Sequence, residues 1–263
     1  MRGMMQAQAI VAAAMMMGAP IAAPAQDRAG NTASAACAPR QAVTATVKSV
    51  ADGRTLLLSD GREVRLPAIE VQEAAQQALS QIVEDREVIL SPLVPVADRY
   101  GRLNMRSFVN LNGQPESVEA RLVALGIALA SPRGDDDACL KELLQAERAA
   151  RTSRLGLWSD DARKKMRAED PEALLAARGK FAVVEGKVIS VRESGGTIYV
   201  NFGRRWSEDF TVTILKRNAR KFTDGGVEPK RLEGRMVRVR GFIEERGGPW
   251  IEATVPQQIE TAD

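Results

Sequence analysis

Short apolar runs at period two, each closed by a turn dipeptide, recur along most of this chain. Val43, Ala45 and Val47 alternate with Thr44, Thr46 and Lys48, the pattern of a strand with one buried face. A second apolar run at 55–59 meets Asp60-Gly61, a strong hairpin signal, and 63–69 is expected to return as its partner. Further strands are expected at 88–90 and 103–111, the latter ended by Asn112-Gly113. Helical spacing intervenes three times. Ala75, Leu79 and Ile82 share a face in 71–84, and Val118, Leu122, Val123 and Leu125 do so in 117–129. Leu140, Leu143, Leu144 and Ala150 repeat the pattern in 139–153. Such a chain folds as a small β-barrel with helices attached.

A second β unit begins near residue 180. Strand candidates lie at 181–191, 197–202, 210–215, 235–243 and 250–254, with Gly195-Gly196 and Gly247-Gly248 as turns. Five strands in about 80 residues suit a closed barrel of the OB type. The reading is therefore mainly β with helices (α+β): two OB-type five-stranded barrels, at 41–160 and 180–260. Residues 161–179, charged and interrupted by Asp170-Pro171, are expected to form a helical linker that buries little. The 263 residues, 44% hydrophobic and 27% charged, are ample for two such cores.

Residues 1–25 read as an export signal. Arg2 supplies the positive end, 9–17 is apolar and uncharged, and Ala23-Pro24-Ala25 offers small residues for cleavage after Ala25. The apolar run is too short to span about 30 Å of hydrocarbon. The mature chain is expected in the periplasm or outside the cell, led by a flexible segment at 26–40. An oxidising compartment lets Cys37 and Cys139 form one disulfide; the alternative is two unrelated buried thiols.

The chain has no histidine. Histidine-ligated zinc, histidine general bases and Ser-His-Asp triads are thereby excluded. Catalysis would have to use carboxylates, guanidinium groups, amines, hydroxyls or an oxygen-held metal. Three motifs carry that chemistry in order: Asp52-Gly53-Arg54-Thr55, Val64-Arg65-Leu66 leading to Glu70 and Glu73, and Asp98-Arg99-Tyr100-Gly101-Arg102. With the helix at 117–129 and Leu155-Gly156-Leu157-Trp158, they make residues 41–160 resemble the thermonucleases, the calcium-dependent, micrococcal-type nucleases with an OB-fold barrel. The resemblance implies metal-assisted phosphodiester hydrolysis. Arg65 and Arg102 would hold the phosphate, and Glu73 would act as or orient the base. Two Asp carboxylates and a Thr carbonyl would place the calcium.

At the metal the chain departs from that pattern. Arg54 stands where the family has an Asp, Glu70 replaces the second Asp, and Val71 and Gln72 replace Thr and Pro. Calcium wants oxygen ligands. Exchanging a carboxylate for a guanidinium swings two charge units, each worth about 4 kcal/mol at contact distance and an effective dielectric near 20. A calcium ion is expected only if the family's metal site survives this change; otherwise no cofactor is. Three readings stay open. Arg54 pairs with Glu70 or Glu73 in an inactive scaffold; or Arg54, Arg65 and Arg102 form a metal-free phosphate-binding cluster; or Arg54 substitutes for the metal's charge and some hydrolysis persists. Asp135-Asp136-Asp137 reads as a solvated approach to a helix rather than a replacement metal site, and Asp52 as a turn residue.

Net charge is only +3, but it is unevenly spread: 178–263 hold 16 basic and 12 acidic side chains, against 20 and 22 in 26–177. Arg238 and Arg240 should share a strand face, near Tyr199, Phe202, Trp206 and Trp250, with Arg204-Arg205-Trp206 as a local cluster. Such a face suits single-stranded nucleic acid; alternatively the rings fill the barrel and the arginines are solvated. Taken together, the sequence predicts an exported protein that binds nucleic acid or nucleotide phosphates, with hydrolysis weak or lost. An active secreted nuclease and a cell-envelope interaction module are the alternatives.

Overall fold

A computed structural model describes residues 37–71, 74–93, 96–132, 137–159, 166–205 and 207–262. The signal segment, Glu73, Trp206 and residues 160–165 lie outside these, as do Asp135 and Asp136. Among the described residues no helix is long and apolar enough to cross a membrane.

Five strands close the first barrel. They are β1 (Val43–Asp52), β2 (Thr55–Leu58), β3 (Glu63–Arg65), β5 (Glu87–Pro92) and β6 (Leu103–Leu111). β1 pairs antiparallel with both β2 and β5, and β5 pairs with β6. A parallel pairing of β3 with β6 completes the ring. Numbered by position among these five, the strands run 1-2-3-5-4, an OB-type order. Register shifts after Val47 and Val50 bend β1, so that one strand serves two neighbours. At the Asn112-Gly113 turn both residues have positive φ, 53° and 80°, as the tight hairpin into β7 (Gln114–Ser117) requires.

The return strand expected at 63–69 stops at Arg65. Pro67 follows, and Ala68 adopts a φ of 56°. The chain resumes as β4 (Ile69–Val71), so the helix expected from 71 begins later, as α1 (Ala75–Val83). The helix expected at 117–129 is likewise shorter. Ser117 caps α2 (Val118–Ala124) by accepting from the Ala120 amide, and Gly126, at φ 71°, lets the chain turn into β8 (Ala128–Ala130). β8 pairs antiparallel with β4. α3 (Asp137–Thr152) follows, then a single turn at Gly156–Trp158. Val47, Leu56, Val64, Leu79, Leu90 and Leu122 form the heart of this core.

The second β unit is built from β9 (Phe181–Lys187), β10 (Ser190–Ser194), β11 (Thr197–Asn201), β12 (Thr211–Leu215), β13 (Met236–Phe242), β14 (Glu244–Arg246), β15 (Gly248–Ala253) and β16 (Ile259–Thr261). β9 runs into β10, and β13 into β14, across breaks of only one or two residues. Counting each as one bent strand, β10–β11–β12 are antiparallel neighbours, β12 and β15 are parallel, β15 pairs with β14, and β13 returns to β9. The order is again 1-2-3-5-4, with α5 (Ala219–Asp224) following strand 3, where α1 lies in the first barrel.

Two expectations need correction. Residues 166–179 do not form a solvated linker: Ala168 and Leu174 are buried in the second core. Asp170 caps α4 (Pro171–Ala176), with Pro171 in its first turn. The apolar residues of this segment thus belong to the second barrel. Nor do Arg238 and Arg240 form a solvent-facing ladder. Arg240 is fully buried and pairs with Glu147 of α3 at 2.7 Å and with Glu260 at 3.3 Å. Arg238 is engaged by Glu185 at 2.8 Å. Glu147 also accepts from the Ala130 amide, and Leu129, Ala150, Trp158 and Val183 pack across the same junction.

Candidate functional site

The candidate site lies at the β1–β2 turn, β3 and the loop before β6. Asp52 is a turn residue: its carboxylate accepts from the Arg54 amide at 2.8 Å and the Thr55 hydroxyl at 3.1 Å. The turn sets Arg54 toward β4, where its Nη1 donates to the Ile69 carbonyl at 2.9 Å and pairs with Glu70 at 2.7 Å. Both side chains are mostly shielded, 22% and 14% exposed, so this pair is screened less than a surface one.

Arg65 lies directly between Thr55 of β2 and Asn104 of β6 in the sheet register. It is half-buried, and its guanidinium makes no hydrogen bond or ion pair among the described residues. Burial, and then the positive charges of Arg54 and Arg102, push it below the ordinary arginine value, while Asp52 and Glu70 oppose them. Arg54, Arg65, Arg102, Asp52 and Glu70 therefore share one electrostatic neighbourhood.

Arg102 is held by its own loop. Its Nε donates to Asp98 at 2.9 Å and its Nη2 lies 2.8 Å from the same oxygen. Asp98 also accepts from the Tyr100 and Arg102 amides, and the Arg102 hydrogen bond holds its carboxyl below the usual carboxylate range. Tyr100, 64% exposed, has the guanidinium groups of Arg99 and Arg102 within 4.7 and 4.8 Å of its ring centre. The sequence reading named this loop but gave Asp98 and Tyr100 no role. The four-residue spacing of Asp98 and Arg102 was the available signal.

These residues do not fit a calcium ion. Glu70, which would have to be a ligand, is paired to a guanidinium, and among the described residues no three acidic, histidine or cysteine side chains are grouped so that they could hold a metal ion. A hard cation at Glu70 would have to displace Arg54, whose fixed positive charge opposes it. Glu73 lies outside the described residues.

In the second unit Arg204 and Arg205 are exposed, with Arg205 paired to Glu208 at 2.8 Å. Tyr199 is partly exposed, whereas Phe202 and Trp250 are buried. The structure thus brings Arg54, Arg65 and Arg102 together and separates Arg238 and Arg240 from solvent. Cys37 and Cys139 are joined by a disulfide.

A closed barrel in OB order, with three arginines gathered where β2, β3 and β6 meet, defines a nuclease-like OB-fold protein. A family model for staphylococcal nuclease homologues matches residues 39–160. Protein ParB of Escherichia coli is 34% identical over 129 residues, covering 43% of this chain and 71% of that protein. The chain belongs to the staphylococcal nuclease homologue family.

Proposed function

We propose that this protein is exported and binds nucleic acid or nucleotide phosphates on the first barrel, with phosphodiester hydrolysis weak or lost. The observation that carries the reading is Arg65. A half-buried guanidinium flanked by two others, with no partner among the described residues, offers paired N–H donors to a phosphate. Arg102, fixed by Asp98, supplies a second cation, and Tyr100 a ring on which a base stacks. Loss of hydrolysis rests on Arg54, whose pairing with Glu70 consumes the carboxylate that a metal would need. Export is supported by the disulfide and by the apolar N-terminal run.

The test is fluorescence anisotropy with a labelled single-stranded oligonucleotide, in parallel with a cleavage assay. Affinity should fall steeply with salt, and Arg65→Ala should weaken binding and lower the salt slope by about one unit. An affinity unchanged by Arg65→Ala would defeat the binding reading. Calcium-dependent cleavage abolished by Glu73→Gln would instead establish an active nuclease.

A further inference from the structure

We propose a second anion site, for a phosphate joined to an apolar body of nucleotide size, in the cavity between α3 and the second barrel. The cavity measures about 580 Å³, within the usual range for small-ligand sites. Arg148 of α3 faces into it from one side, and Arg231 and Arg235 from the other. All three are exposed, and among the described residues none of their guanidinium groups is bound by a carboxylate.

The acids that also line the cavity are already engaged. Glu260 pairs with Arg151 at 3.0 Å and with Arg240 at 3.3 Å, and Glu228 accepts from the Thr223 hydroxyl. Arg240 forms part of the wall; its Nη groups are spent on Glu147 and Glu260, and its buried Nε has no hydrogen-bond partner. With Glu228 still carrying its own charge, the excess is two positive charges around one opening. A monocarboxylate leaves half of that charge unbalanced. A phosphate or diphosphate neutralises it and accepts the paired N–H bonds that guanidinium groups offer. Leu144, Val227 and Ile259 supply an apolar wall on which a sugar or base can lie.

This site shares no residue with the Arg65 cluster, so the two can be tested separately. Calorimetric titration of the full chain with ADP is done in an Arg65→Ala background, which removes the barrel site. ADP binding should persist there. Adding Arg231→Ala and Arg235→Ala, both on exposed side chains, should weaken it by about tenfold or more without moving the melting temperature. Pyrophosphate and adenosine form the other arms. ADP should bind more tightly than pyrophosphate, because the apolar wall adds to the phosphate contacts. Four results would overturn the proposal: no ADP binding in the Arg65→Ala background, an unchanged affinity in the triple variant, adenosine binding as tightly as ADP, or pyrophosphate binding as tightly as ADP.

Discussion

Arg54 acts by what it touches: one guanidinium bridges the Ile69 carbonyl and the Glu70 carboxylate, tying the first turn to β4. Replacing Arg54 and Glu70 together by Asp restores two short carboxylates and removes the cation. Calorimetry with calcium should then show binding stronger than in the parent chain; no gain would mean that the turn and β4 do not face a common metal position. A second residue, Glu119, is placed to make stability depend on pH. Glu119 is buried in α2, and desolvation pushes its carboxyl up to about 7, although the Ser107 amide and Ser117 hydroxyl donate to it and Arg106 lies near. A carboxyl raised above its ordinary value favours folding below pH 4.5 and loses that contribution as pH rises toward 7. A shift of this size corresponds to about 3 kcal/mol. The melting temperature of the parent should therefore decline relative to Glu119→Gln between pH 4.5 and 7.5. Parallel curves would place the titration elsewhere.

Among the elements, α3 is tied to the rest of the chain by a covalent bond as well as by packing. Cys139 bonds Cys37, just ahead of β1, closing a loop across 102 positions. On the chain-entropy argument this contributes about 4–5 kcal/mol, mostly by restricting the unfolded chain. Cys37→Ser with Cys139→Ser should lower the denaturation midpoint accordingly, and reductant should do the same to the parent alone. An unchanged midpoint would mean that the N-terminal segment adds nothing to the first barrel. The elements also show what local pattern conveys. The strands around Asp60-Gly61 and Asn112-Gly113 were legible because alternation and turn chemistry agree there. β4 and β8 were not. Each is three residues long: β4 is divided between the return strand expected at 63–69 and the helix expected from 71, and β8 overlaps the helix expected at 117–129, because apolar residues in so short a run satisfy either period. Their mutual pairing, across the helices between them, is what separates them from those helices.

In the whole molecule the two barrels are joined through charge as well as apolar packing. Arg240 of β13 and Glu147 of α3 are both fully buried, and Arg151 and Glu260 extend the pair to a network. Such a network is costly to break from one side. Arg240→Ala should destabilise the protein by about 3–5 kcal/mol, because it strands the Glu147 charge. Arg240→Met combined with Glu147→Leu should recover most of that loss in chemical denaturation. If Arg240→Ala is mild, Glu147 takes up a proton or finds another donor. The same network fixes α3 against β13 and so shapes the basic cavity beside it.

Alternation, turn dipeptides and motif order determined, without any structure, that the chain is mainly β with a small closed barrel in its first half, and they left Arg54 open between a carboxylate partner and a cluster with Arg65 and Arg102. These signals are local or strictly ordered, so they survive in one dimension. Whether an arginine meets water or a buried glutamate is set by the residue facing it from a distant element. Arg238 and Arg240 alternate on β13 as an exposed ladder would, yet Glu147 lies far away in sequence, and only the docking of α3 turns Arg240 from a surface cation into an internal one. The burial of Leu174 was hidden in the same way: a short charged segment reads as solvated until a barrel closes over its one apolar face.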